Sequence, residues 1–246
     1  APEWSINGTA AETGKRFRFK RDTLGDYIIG YAHPGNFPLS GALAVSAAFP
    51  GGFGPLTFDA ERFEWKRRPA WGSPAENAES IEAEFQRLHL YDGGVYDNLG
   101  LEPFFDSGLA SSKQQNEAIL VSDAGAPLPQ EFLTAALNPW RLKRVSDIMS
   151  EQSRSLRVRS FVKFLKAQPS KGAYLYIGLP APRDGSDAAA ALAARYPTTL
   201  IRPSLETFDA IAAHGYQLAA DSSAEFGIIA MLSAAAKHKR PFAPQP

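Results

Sequence analysis

Leu90-Tyr91-Asp92-Gly93-Gly94-Val95-Tyr96-Asp97-Asn98-Leu99-Gly100 is the stretch on which the reading of the fold turns. The apolar patch over 83–91 has strand character, and Asp92-Gly93-Gly94 reads as the turn that ends it. A carboxylate at the end of a strand projects into the crevice where α/β folds hold their sites. The two glycines predict a turn with φ > 0 and a close approach by another chain segment. Residues 98–107 then read as a short helix.

Outward from this point the chain alternates strand and helix patterns. Toward the N-terminus, Lys15-Arg16-Phe17-Arg18-Phe19-Lys20 has the period-2 pattern of a half-buried strand. Residues 26–31 and 56–65 are further strand candidates, and 67–80 is polar and reads as a surface loop. The small, apolar run 38–49 predicts a buried helix with Pro38 in its first turn, stopped by Pro50-Gly51-Gly52. Toward the C-terminus, 117–121 and 173–179 read as strands. Residues 138–167 form the longest helical pattern, with Pro139 in its first turn. Residues 188–196 and 204–236 carry further helices, with breaks expected at Gly215 and near Asp221, and the tail 241–246 reads as frayed. The expectation is one α/β domain over residues 1–246, whose part from 138 to 240 is mainly helical.

Composition narrows the function classes. The 246 residues are 44% hydrophobic and 21% charged, as in ordinary globular proteins, which excludes a disordered, collagen-like or coiled-coil chain. Lys+Arg and Asp+Glu are 26 each, so no global basic field points to nucleic acid. The absence of cysteine excludes disulfides, thiolate metal sites and a cysteine nucleophile. No apolar run is long enough for a transmembrane helix. Cytoplasm or the membrane periphery is the expected location. The opening Ala1-Pro2-Glu3-Trp4 reads like the middle of a protein, so a true N-terminus upstream is expected.

Few constellations carry chemistry. His33, His89, His214 and His238 share no helical spacing, so no metal site is expected; His214, before Gly215, reads as a helix C-cap. Gly51-Gly52-Phe53-Gly54 follows a helix and contains no Lys, a poor match to a phosphate loop. There is no G-x-S-x-G. Ser46 has small neighbours but lies inside a predicted helix, without the free N–H groups of a nucleophile elbow. Asp92 is the candidate general base, placed to accept a proton from a serine hydroxyl. An ordinary Asp-Gly turn uses the same dipeptide, as Asp184-Gly185 in the polar loop 183–187 illustrates. Asp97 and Asn98 read as caps of the helix that follows.

Read together, the motifs INGTAAETG (6–14), SAAFPGGFGP (46–55) and DGGVYDNLG (92–100) resemble, in order and spacing, those of the patatin-like phospholipases. The resemblance covers roughly residues 3–106 and is looser over PTTL and HGYQLAADSSAEFG. It implies a three-layer α/β/α fold, incomplete in this chain, that hydrolyses lipid acyl esters with a Ser–Asp dyad and no cofactor. Asp92 matches the dyad base, and Gly93 and Gly94 shape the turn beside it. The family's nucleophile segment, G-x-S-x-G, and its oxyanion loop precede these motifs and are absent here. A preceding segment or a partner chain is thus expected to supply the serine, and these residues alone should be inactive. The alternative is a non-catalytic lipid- or protein-binding module derived from such a hydrolase.

Charge is unevenly spread. Residues 59–97 hold nine acidic and five basic groups, whereas 141–167 hold eight basic and two acidic. On a helix the second run is either a solvated face or a contact for an anionic membrane through Arg154, Arg157, Arg159 and Lys163. No aromatic interleaving accompanies it, which argues against nucleic acid.

Overall fold

A computed structural model of the chain describes residues 3–50, 52–70, 73–113, 118–126, 128, 130, 132, 138, 140–180, 187–197, 199 and 201–226. Asp184-Gly185, Pro139, His238 and the tail 241–246 lie outside the described residues. The fold is mixed α/β with a curled antiparallel sheet. The chain divides into two units, Ala1–Gly100 and Leu101–Pro246.

The first unit is built on an eight-stranded sheet: β1 (Ile6–Ala10), β2 (Arg16–Phe19), β3 (Leu24–Asp26), β4 (Gly30–Ala32), β5 (Leu56–Asp59), β6 (Trp65–Arg67), β7 (Glu79–Ile81) and β8 (Arg87–Asp92). The strand order is β5-β8-β1-β2-β3-β4-β6-β7, with every neighbouring pair antiparallel. The alternation in β2 holds, with Phe17 and Phe19 buried and Arg16 and Arg18 on the other face. Phe17, Phe19, Leu24, Trp65, Leu88 and Leu90 form the core, and Phe37 stacks on Phe19 at 5.3 Å between ring centroids. Helix α1 (Leu39–Ser46) lays Ala42 and Val45 on this core. Gly8 of β1 makes room for it, since a Cβ there would stand 2.5 Å from Val45.

Four local expectations are corrected here. Residues 26–31 are not one strand: Tyr27–Ile29 form the turn between β3 and β4. The buried Asp26 carboxylate takes the N–H groups of Ile28 at 2.7 Å and Ile29 at 2.8 Å and the Thr13 hydroxyl at 3.0 Å, which bends the chain back. Residues 56–65 are interrupted by a 3₁₀ turn at Ala60–Arg62, and the expected loop 67–80 ends in β7. The helix expected over 98–107 is absent. A single turn, α2 (Gly94–Asp97), stops at the left-handed Gly100, with φ 61°.

In the second unit β9 (Phe105–Asp106) and β10 (Ser111–Ser112) form a small hairpin. β11 (Ile119–Asp123) and β12 (Gly172–Tyr176) pair in parallel around the intervening α3 (Trp140–Ala167). Phe161 and Phe164 of α3 pack on Phe105, at 5.2 and 5.4 Å. Helices α4 (Asp187–Arg195) and α5 (Leu205–Phe226) follow. Gly215 does not break α5: one helical glycine costs only about 1 kcal/mol relative to Ala. His214 is therefore not a cap. It is buried within the helix, its Nε2 lying 3.2 Å from the Ile177 carbonyl oxygen. Among the described residues, no helix is long and apolar enough to cross a membrane.

The hairpin turn gives a direct test. Asp26→Ala orphans two backbone N–H groups and the Thr13 hydroxyl and should lower unfolding free energy by about 2–4 kcal/mol in urea titrations. Asp26→Asn, whose amide oxygen still accepts from both N–H groups, should cost less. An unchanged midpoint for Asp26→Ala would refute the account of the turn.

Candidate active site around Asp92

Asp92 is the last residue of β8, which runs between β1 and β5. Its main chain is held on both sides. The Asp92 N–H donates to the Ala48 carbonyl at 2.9 Å, just beyond α1, and its carbonyl accepts from the Thr9 hydroxyl at 2.9 Å. The side chain stands two residues on from the buried Leu90, on the face covered by α1. Oδ1 accepts the Gly94 N–H at 2.6 Å, and among the described residues Oδ2 has no partner.

The glycine pair works by close approach. A Cβ on Gly93 would meet the Asn7 carbonyl oxygen at 2.6 Å, and one on Gly94 would lie 2.7 Å from Asn98 Oδ1 and 3.1 Å from the Asp92 carboxylate. The left-handed turn expected from the sequence is not used: Gly93 has φ −60°, and Gly94 is not among the positive-φ glycines. Side chains at these positions would press on β1 and on the carboxylate itself.

Burial pushes the Asp92 carboxyl above the ordinary aspartate value of 3.8, and the Gly94 N–H only partly offsets it. The group is thus a stronger base than an exposed aspartate, with one oxygen positioned and one free to take a proton. Leu39 and Leu43 of α1, Phe49 and Phe53 beyond it and Val95 of α2 are exposed apolar side chains.

The other candidates are placed as follows. Asp97 is buried at the end of α2, its Oδ1 accepting the Leu99 N–H at 3.3 Å. With Asn98 it closes this turn and caps no following helix. Ser46 is the last residue of α1 and half-buried. His89 Nδ1 lies 2.6 Å from Glu12 Oε1. The basic run on α3 is divided. Arg154 is turned inward, bonded through Nε to Asp123 Oδ2 at 3.0 Å and through Nη1 to Glu151 at 3.0 Å. Burial works against its charge, but the Asp123 carboxylate outweighs this and raises the pKa. That withdraws Arg154 from any membrane contact. Arg157 is half-buried, whereas Arg159 and Lys163 are exposed one helical turn apart.

Sequence reasoning missed the Asp123 cluster. Asp123 ends β11 and takes the Tyr174 hydroxyl at 2.6 Å and the Gly125 N–H at 3.0 Å, besides Arg154. Burial and the bond to Asp123 raise the Tyr174 pKa strongly, so its proton stays in place. The strand end was visible in the sequence, but its partners lie 31 and 51 residues away.

The Asp92 pKa has a consequence for stability. Because it is raised in the fold, Asp92 contributes stability below the ordinary aspartate range, and that contribution is lost as pH rises through the raised value. Asp92→Asn, uncharged throughout, should melt no lower than wild type at pH 7, and any advantage should vanish below the ordinary value of 3.8. Thermal melts across pH check this; a clearly lower melting temperature for Asp92→Asn at pH 7 would show a carboxylate held charged by its surroundings.

Compared with known proteins, the chain finds no match: no family model, no curated protein and no solved structure matches it.

Proposed function

We propose that this chain carries the base of a Ser–Asp lipid acyl hydrolase of the patatin-like type. The reading extends to the three-layer α/β/α arrangement of that family, with the serine supplied from outside these 246 residues. The observation that carries it is the Asp92 carboxylate: half-buried at the end of a strand paired on both sides, one oxygen held by the Gly94 N–H and the other without a partner among the described residues. The exposed apolar side chains of α1, of the segment after it and of α2, the elements next to Asp92 in the chain or bonded to its backbone, suit a surface that receives the serine-bearing segment and an acyl chain.

In the proposed reaction the serine Oγ attacks the ester carbonyl while Asp92 accepts its proton. The tetrahedral intermediate collapses, the alcohol leaves with the proton from Asp92, and an acyl-serine is left. Water then attacks that ester, again losing a proton to Asp92. The serine leaves with this proton, and the fatty acid is released. A carboxylate with a raised pKa is better matched to this work near neutral pH than an ordinary aspartate.

The second reading, a non-catalytic lipid-binding module, is favoured by the exposed Arg159 and Lys163 on α3, which suit an anionic membrane surface.

The test is p-nitrophenyl ester turnover by the protein that includes the serine segment. Asp92→Asn should lower turnover by about 10²–10⁴-fold, the usual worth of general-base assistance. Wild-type activity should fall with pH through a midpoint above 3.8 as the carboxylate is protonated. The 246 residues alone should match buffer. Equal activity in wild type and Asp92→Asn refutes the dyad, and activity in the isolated chain makes Ser46 the first residue to mutate.

A further inference from the structure

The first unit contains an open groove of about 1220 Å³ that Asp92 does not line. Its charge is one-sided: among the described residues, Arg18, Lys20, Arg62, Lys66 and Arg68 line it against the one carboxylate of Glu64. The sheet register explains part of this concentration. Arg18 of β2 stands opposite Gly25 of β3, Gly25 opposite Tyr31 of β4, and Tyr31 opposite Lys66 of β6. These side chains share one row on the face opposite Phe17 and Phe19. Gly25 has no side chain, so Arg18 reaches across β3 to Tyr31. The guanidinium lies 5.0 Å from the ring centroid, and Nη2 donates to the hydroxyl. That contact holds the guanidinium fork in place beside the groove.

The cations are not consumed by internal pairing. Lys20 is paired with Glu3, and Arg68 Nη1 donates to the Ser73 carbonyl at 3.1 Å. Arg62 and Lys66 are exposed, and their side chains have no hydrogen bond or ion pair among the described residues. With Glu64 and Glu3 both counted, the groove keeps an excess of three positive charges. Like charges gathered at one concavity repel each other, and a multiply charged anion relieves that repulsion better than a carboxylate or a halide does. Its volume is also too large for an inorganic ion alone, and Tyr27, Tyr31, Phe37 and Phe63 offer ring surface to an organic body.

We propose that this groove binds a phosphate monoester or diphosphate, through Arg18, Arg62 and Lys66, with the rest of the ligand lying against the aromatic rings. A phosphate monoester carries about −1.5 to −2 charge near neutral pH, and the arginine fork matches its oxygens bidentately. Arg18, Tyr31 and Lys66 stand on the sheet face opposite Asp92, so this site does not rest on the hydrolase reading. The phosphate arrives either on a soluble ester or on a lipid headgroup, and the two sources separate by experiment.

The test titrates the chain with inorganic pyrophosphate by calorimetry, and in a second arm with phosphatidylcholine vesicles with and without phosphatidic acid. Arg62→Gln/Lys66→Gln removes two exposed cations from the groove. Arg195→Gln/Arg202→Gln removes the same charge from exposed positions of the second unit as a control. The groove variant should weaken binding at least roughly tenfold, and the control should not. Such a loss in the vesicle arm assigns a lipid headgroup; a loss confined to pyrophosphate assigns a soluble phosphate ester. If neither probe binds, or if the two double variants weaken binding equally, the site is refuted.

Discussion

The first unit depends on the clamping of β8 between β1 and β5. Leu88 and Leu90 are wholly buried there, and the strand's last residue is tied by its own N–H to Ala48 and by its carbonyl to Thr9. These bonds join three separate pieces of sequence: the first strand, the end of α1 and the Asp-Gly-Gly stretch. The glycines follow from that closeness. Gly8 accommodates Val45, Gly93 accommodates the Asn7 backbone, and Gly94 leaves the carboxylate its space. A helix packed on two strands, all meeting at one backbone position, makes a rigid mount for a single side chain.

Five strands, β3, β5, β8, β9 and β11, end in aspartate: Asp26, Asp59, Asp92, Asp106 and Asp123. In each the carboxylate accepts the N–H two residues on, the usual way an aspartate starts a turn. Their difference lies in what else they meet. Asp26 gains a second N–H and the Thr13 hydroxyl, and Asp123 gains Arg154 and Tyr174. Those two have their hydrogen-bonding capacity taken up inside the protein. Asp92 is half-buried without a further donor among the described residues, and that burial raises its pKa.

This pattern explains what the sequence disclosed. The alternation of Lys15 to Lys20 located β2 and its buried face, since period 2 is a local property of a pleated strand. Residues 140–167 were legible as a helix, because its length carries many repeats of one signal. The Asp92-Gly93 dipeptide announced a turn, but other strand-end aspartates make the same kind of turn, and burial comes from α1 and β1, distant in sequence. The hairpin at Asp26 is hidden in the sequence because Tyr27-Ile28-Ile29 has strand composition, while the carboxylate that bends it acts through side-chain bonds. The inward turn of Arg154 was hidden for a similar reason: its partner Asp123 sits on another element. The groove is not legible in the sequence, because Arg18, Tyr31 and Lys66 meet only through the register of four strands.

The central claim, that Asp92 activates a serine outside these residues, is tested most directly by a fluorophosphonate probe with mass spectrometry to locate the adduct. The probe forms a covalent phosphonyl ester with an activated serine and loses fluoride. The account predicts an adduct in the protein that includes the serine segment, on a serine outside the 246 residues, with labelling largely abolished by Asp92→Asn. An adduct on Ser46, or labelling of that serine at an unchanged rate in Asp92→Asn, would contradict it.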